Sequence, residues 1–169
     1  MSDGVEWSIH CAWMLALAPE DRAVPARRLA EYHGLPEAYL AKVLKSLVRA
    51  ELLETGTGPR GGFRLARAPE QITVLDLVEA VEGRTPVFRC TEIRQRGPCS
   101  GPPGDYRNPC GIACVMRDAE QVYRERLRAT TLADLLDEAG DRARRRARTW
   151  LTSVLAESTA KGTTDGTPV

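Results

Sequence analysis

VPARRLAEYHGLPEAYLAKVLKSLVRAELLETGTGPRGGFRL, residues 24–65, decides the fold. A short helix is expected to begin near Val24 and Pro25, because proline in the first turn gives up an N–H that has no partner there anyway. It buries Leu29 and Ala30 and stops at Gly34, which supplies the turn. Pro36 opens the next helix, with Tyr39, Leu40, Val43, Leu44 and Leu47 on one face and Glu37, Ala38, Ala41, Lys42, Lys45 and Arg49 outward. Two helices around a tight glycine turn read as helix-turn-helix. Leu52 and Leu53, a turn spanning Gly56 to Gly62, and the alternating Phe63, Arg64 and Leu65 read as a hairpin wing. The fold class is therefore mainly α with a small β-hairpin: a winged helix-turn-helix.

Working outward, Val5, Ile9, Ala12, Trp13, Ala16 and Leu17 recur at helical spacing and predict a first helix over residues 4–18, ended by Pro19. Ile72, Val74, Leu75, Leu77, Val78 and Val81 predict another, with Thr73 and Asp76 in capping-box positions and Gly83 at its end. From Ile112, the residues Val115, Met116, Ala119, Val122, Tyr123, Arg126 and Leu127 keep a stripe over about four turns, too one-sided for so small a domain to cover. A partner subunit is the natural cover, so this is the expected dimerisation helix. Thr131 and Asp134 repeat the capping signature before Leu132, Leu135 and Leu136. Arg142, Arg144, Arg145, Arg146 and Arg148 follow as a basic run whose spacing spreads charge around a helix axis, the pattern of a solvated face. The expected organisation is a DNA-binding domain over 1–84, a cofactor loop over 85–111, dimerisation and C-terminal helices over 112–157, and a disordered Thr/Gly/Ser-rich tail over 158–169.

The chain has 169 residues, 43% of them hydrophobic, enough for one core with an appended element. Its longest apolar run, Cys11 to Ala18, is too short to span a bilayer, and the Met1–Gly4 start lacks the basic residues of a secretory signal. A cytoplasmic protein is expected. The formal net charge is only +1, so affinity for nucleic acid has to come from local clustering of cations. Double-stranded operator DNA is the expected partner: Glu37, Ala38, Ala41 and Lys42 would face bases, and Lys45, Arg60, Arg64 and Arg67 would lie near phosphates. No Cys–His pairing and no glycine-rich phosphate loop is legible, so no catalytic residue is assigned and an enzyme is not expected.

Four of the five cysteines, Cys90, Cys99, Cys110 and Cys114, fall in one Pro/Gly-rich stretch. Thiols stay reduced in the cytoplasm, so such a cluster reads as ligands or redox sensors. Soft sulfur favours zinc or iron–sulfur centres. Cys11, in an apolar helix, reads as a buried thiol. Spacing alone leaves open a zinc site, a four-iron cluster that could sense nitric oxide, and a metal-free thiol switch. Glu6 and His10 stand at i and i+4, so both leave the first helix on one face about 5 to 6 Å apart at Cβ, close enough to share one metal. His33, at the end of the second helix, reads as a polar cap, a C-terminal cation or a reserve ligand.

These blocks carry a resemblance. Tyr39–Lys42, the wing Gly61–Leu65, the run Ile72–Gly83 and Thr130–Leu135 look like the IscR/NsrR family of bacterial winged-helix regulators, over residues 4 to about 138. Where that family has an arginine ahead of the wing glycines, this chain has Thr57, with Arg60 three positions on. The sequence around Cys90 and Cys110, together with Val5, Glu6, Trp7 and His10, is similar to the RsrR subgroup. That resemblance implies a redox-sensing regulator, expected to act as a repressor, whose two-iron two-sulfur cluster lies across a homodimer interface. Cys90 and Cys110 of one subunit and Glu6 and His10 of the other would be its ligands, with Cys99 and Cys114 in reserve and Trp7 as a redox relay. One electron would take such a centre from −1 to −2. A unit charge at about 10 Å and an effective dielectric of about 20 is worth about 1.7 kcal/mol, more than tenfold in a two-state equilibrium.

Overall fold

The computed structural model describes residues 1–56 and 61–160, the last four of these by backbone alone. Among the described residues, seven α-helices and one hairpin follow the order α1 (Asp3–Ala16), α2 (Ala26–His33), α3 (Glu37–Arg49), β1 (Leu53–Gly56), β2 (Gly62–Leu65), α4 (Val74–Glu82), α5 (Gly111–Arg128), α6 (Leu132–Glu138) and α7 (Asp141–Ala160). The fold is mainly helical with a single antiparallel hairpin, in line with the sequence. Helix α1 lies at its centre. Its Cys11, Ala12, Met14 and Leu15 are buried, and its one buried polar side chain, Ser8, donates to the Val5 carbonyl at 2.7 Å, so this hydroxyl is satisfied within the core.

The turn between α2 and α3 forms as the sequence requires. Gly34 takes a left-handed conformation with φ 65°, and the Leu35 N–H reaches back to the Ala30 carbonyl at 2.9 Å, closing α2 in the manner of a Schellman cap. Leu40, Val43, Leu44 and Leu47 bury one face of α3. Tyr39 differs from its expected place in the core: it is 48% exposed. Val24 also differs. It is not helical but bridges Phe63, with N–H to carbonyl bonds of 2.9 Å in each direction, adding a third short rung to the wing.

In the hairpin Leu53 faces Leu65 and Glu54 faces Arg64. The wing is held against the body at Gly62, where a Cβ would lie 2.4 Å from the Val24 carbonyl carbon. The tip carrying Thr57 and Arg60 lies outside the described residues.

Thr73 and Thr131 both complete capping boxes, with Asp76 and Asp134. These two caps sit side by side: Val74 N–H bonds the Thr130 carbonyl and Leu132 N–H the Ile72 carbonyl, each at 2.8 Å. The start of α6 is thereby tied to the start of α4. Helix α5, between them in sequence, buries only Ala113. Arg124 ion-pairs with Glu79 to hold it on α4, while Ile112, Val115 and Val122 stay 68, 66 and 67% exposed.

Helix α7 returns to the main core, burying Ala147, Leu151, Val154 and Leu155. The expected division at residue 84 is thus not a division of the core, because residues from α6 and α7 fill the same cluster as α1 to α4. Nor does helix end near 157: α7 continues to Ala160, and the expected tail from 161 onward lies outside the described residues. No described helix is long and apolar enough to cross a membrane.

Gly62→Ala should separate the wing from Val24. The expected loss is about 1 to 3 kcal/mol, typical of a side chain forced into packed surroundings, read as a lower urea midpoint with an unchanged slope.

Candidate nucleic-acid interface and sulfur pocket

Helix α3 presents Glu37, Ala38, Lys42 and Lys45 to solvent, with Ala41 half-buried beside them. Neither lysine has an ion-pair partner among the described residues. The arginines of the wing are less available than the sequence suggests. Arg64 is paired with Glu54 directly across the ladder at 2.7 Å. Arg67 is a cap: its guanidinium donates to the Glu51 and Ala50 carbonyls at 3.0 and 3.2 Å, satisfying acceptors at the end of α3. Arg67 therefore leaves the phosphate-facing set, and Arg60 lies outside the described residues.

Cys90 and Cys110, 20 positions apart in sequence, line one pocket of about 160 Å³ together with Phe88, Glu92, Ala113 and Arg117. Sequence reasoning did not find what gathers them. Arg94 donates through Nε to Glu92, two residues after Cys90, at 2.5 Å, and through Nη2 to the carbonyl of Asn108, two residues before Cys110, at 3.1 Å. One planar fork thus spans both ends of the loop.

Tyr106 completes this clamp. Its hydroxyl donates to the Arg94 carbonyl at 3.0 Å and accepts from the Gly101 N–H at 2.5 Å, and its ring lies 5.5 Å from the guanidinium carbon. The hydrogen bond from Arg94 holds the Glu92 carboxyl below the usual carboxylate range. Glu92 is also left-handed, with φ 50°, an unfavourable backbone state for a side chain of its length that the Arg94 bond offsets. The available signal was one of three arginines and a lone tyrosine among the prolines and glycines between the two cysteines.

Cys110 is the N-cap residue of α5, next to the open N–H groups of the first turn, where negative charge is favoured. Cys114 is one turn on and accepts from Arg117 at 3.5 Å. Cys99 is exposed and does not line the pocket. Cys11 is buried, and burial pushes its thiol up to about 12.

Glu6 and His10 are exposed on α1 and do not line the sulfur pocket. Among the described residues, no three His, Cys, Asp or Glu side chains converge within the chain. The face of α1 that carries them touches the helix-turn-helix at two points. Trp7 meets Tyr39 in the first turn of α3 edge-on, with centroids 5.1 Å apart. His10 lies 5.7 Å from His33, the last residue of α2. His33 is wedged against Tyr32, its Nε2 buried without a hydrogen-bond partner. Burial and then the His10 ring lower its basicity, so it is not the helix-end cation that its position suggested.

Three comparisons bear on this arrangement. The sequence profile described as "Rrf2: Iron-dependent Transcriptional regulator" matches residues 1–138. The HTH-type transcriptional regulator NsrR of Halalkalibacterium halodurans is 30% identical over 132 residues, covering 78% of this chain and 86% of that relative. Among solved structures, T. potens IscR is 26% identical with a TM-score of 0.62, covering 83% of this chain and 88% of its own. CymR (YrzC), the global cysteine regulator of B. subtilis, is 24% identical, also at 0.62, over 83% of this chain and 98% of its own, a likeness of fold.

Two outcomes follow from the thiol environments. At pH 8 a thiol raised to about 12 is ionised in about one molecule in ten thousand. A disulfide reagent should therefore titrate the four loop cysteines of the metal-free chain promptly and reach Cys11 only in denaturant. In a Cys99→Ser/Cys114→Ser background, a trivalent arsenical that needs two adjacent thiols should bind the Cys90 and Cys110 pair. Arg94→Ala should weaken that binding about tenfold, the effect of about 1.4 kcal/mol of lost hydrogen bonding.

Proposed function

This chain belongs to the Rrf2 family of transcriptional regulators, and from that premise we propose that it is a redox-sensing, DNA-binding regulator, acting in the cytoplasm as a homodimer with a two-iron two-sulfur cluster at each subunit interface. It is a regulator rather than an enzyme. The observation that carries the reading is the split ligand set. Cys90 and Cys110 line one pocket whose Glu92 is engaged by Arg94, no group of three His, Cys, Asp or Glu converges among the described residues, and Glu6 and His10 stand exposed on another helix. A four-ligand site built from these residues draws Glu6 and His10 from a second copy.

The donor set fits the group. Thiolates suit an iron–sulfur core, and imidazole suits iron while raising the potential toward the range of cellular couples. When bound, such a cluster supplies a one-electron change of charge. The chain's own residues supply the rest. Arg94 and Arg117 place positive charge beside the sulfurs, and the α5 N-terminus favours negative charge at Cys110. The exposed stripe Ile112, Val115, Met116 and Val122 gives a second copy an apolar surface to bury.

On α1, Glu6 and His10 flank Trp7, and Trp7 and His10 rest on Tyr39 and His33. A shift of either ligand side chain is therefore felt by both helices of the reading head. Glu37, Ala38, Ala41 and Lys42 would face base edges in the major groove, while Lys45, Arg60 and Arg64 would lie along phosphates. Reorienting two such heads against a fixed half-site spacing alters affinity, most simply as a repressor released from its operator.

Anaerobically purified protein should be coloured, with iron and acid-labile sulfide in equal amounts. Cys90→Ser and Cys110→Ser should abolish the visible spectrum, Cys99→Ser and Cys114→Ser should keep it, and His10→Ala should change it. DNA affinity should change more than tenfold on one-electron reduction. A colourless zinc protein, or a His10→Ala variant with the unaltered spectrum, would sink the mixed-ligand reading.

A further inference from the structure

We propose that α7 is a second nucleic-acid contact element, whose outward arginines Arg142, Arg145 and Arg146 grip the phosphodiester backbone beside the segment read by α3. This rests on the DNA-binding reading above and extends it to a part of the chain that the family match, ending at residue 138, does not cover.

Five arginines fall between residues 142 and 148 of a chain whose net charge is only +1. Their spacing in sequence suggested charge spread evenly around the axis, but packing sorts them. Ala147 and Leu151, with Val154 and Leu155 further on, turn one face of α7 into the core. Arg144 is held at the edge of that face by the Leu136 carbonyl at 3.1 Å and by Asp141 and Asp137. Arg142, Arg145 and Arg146, at i, i+3 and i+4, share the opposite side within about 100° of arc, and all three are exposed. Arg148 is exposed on the flank.

None of these four guanidinium groups has an ion-pair or hydrogen-bond partner among the described residues. Like charges at this spacing destabilise the helix that carries them, and the anchoring of α7 is done by its apolar face. The fold therefore gives no reason for the triad, whereas a polyanion does. The position is suitable. Trp150 packs on Tyr32 of α2 with centroids 4.8 Å apart, and Arg22, just ahead of α2, donates to the Leu155 carbonyl at 2.8 Å. The Trp150–Leu155 stretch of α7 thus touches α2 and the residues just ahead of it, and α2 is the helix that in this motif crosses the DNA backbone. Its neighbour on the outside is placed to meet phosphates flanking the site, and arginine pairs with phosphate through a two-pronged fork.

The test uses the full chain and a mixed-sequence duplex of about 40 base pairs, with affinity measured from about 50 to 200 mM salt. Arg142→Gln/Arg145→Gln/Arg146→Gln should lower the slope of log affinity against log salt by about 2 to 3, since each phosphate contact contributes about 0.9. Affinity near 100 mM should fall more than tenfold, with the melting temperature not lowered. The corresponding triple lysine variant should recover most of both losses. Arg96→Gln/Arg107→Gln, which removes exposed charge from the cysteine loop, should leave the slope as it is. A wild-type slope in the triple glutamine variant, or a lysine variant as weak as the glutamine one, overturns this proposal alone. A wild-type chain that does not bind the duplex at low salt overturns the DNA-binding reading as well.

Discussion

Burial of one face of α1 is the constraint on which the rest of the arrangement depends. Cys11, Ala12, Met14 and Leu15 are packed away to 4% exposure or less, so the helix cannot roll about its axis without opening the core, at a cost of several kcal/mol. Fixing that face fixes the other. Glu6 and His10 must then emerge on the opposite side, and Trp7 and His10 must meet Tyr39 and His33. The surface that carries Glu6 and His10 is thus in direct ring contact with the helix-turn-helix, and a local change at the first can reach the second without a long mechanical path.

The cysteine loop has the opposite character. Residues 85–110 contribute almost nothing to the core, and their order comes from polar contacts around Arg94 and Tyr106 rather than from apolar burial. A loop organised by a guanidinium fork and a hydroxyl can hold two sulfurs in register and still yield more readily than packed apolar side chains would. Such flexibility would be costly inside a packed core, where interiors behave as close-packed solids. The exposed stripe on α5 gives this loop a neighbour: the surface left bare by one chain begins at Ile112, two residues after Cys110.

Legibility from sequence followed the range of the interactions. Periodic apolar residues, the two capping boxes and the Gly34 turn are set within a few residues of one another, and each appears in the structure where the sequence puts it. Departures came where distant segments meet. Val24 is drawn from a helix start into a bridge by Phe63, Tyr39 is drawn out of the core by Trp7, and α7 joins a core that sequence order assigned to the first half of the chain. The Arg94 clamp was illegible for a related reason: arginine in a loop carries no periodicity, and only the folded chain reveals which two carbonyl or carboxylate partners its fork spans.

Counting basic residues is a poor guide to a nucleic-acid surface for the same reason. Arg64, Arg67, Arg94 and Arg144 all look like available cations in the sequence, yet each has its guanidinium engaged by a carboxylate or a backbone carbonyl of this chain. Arginine suits that structural use because its planar group can satisfy two acceptors at once, whereas lysine is a compact point charge that remains solvated. Lys42 and Lys45 on α3 and the outward face of α7 are among the cations that no such partner engages in the described residues. Electrostatic attraction to a polyanion depends on this residue of unpaired charge, not on the total. A chain of net charge near zero can therefore still present a strongly positive surface, provided that its carboxylates are occupied elsewhere in holding arginines to the fold.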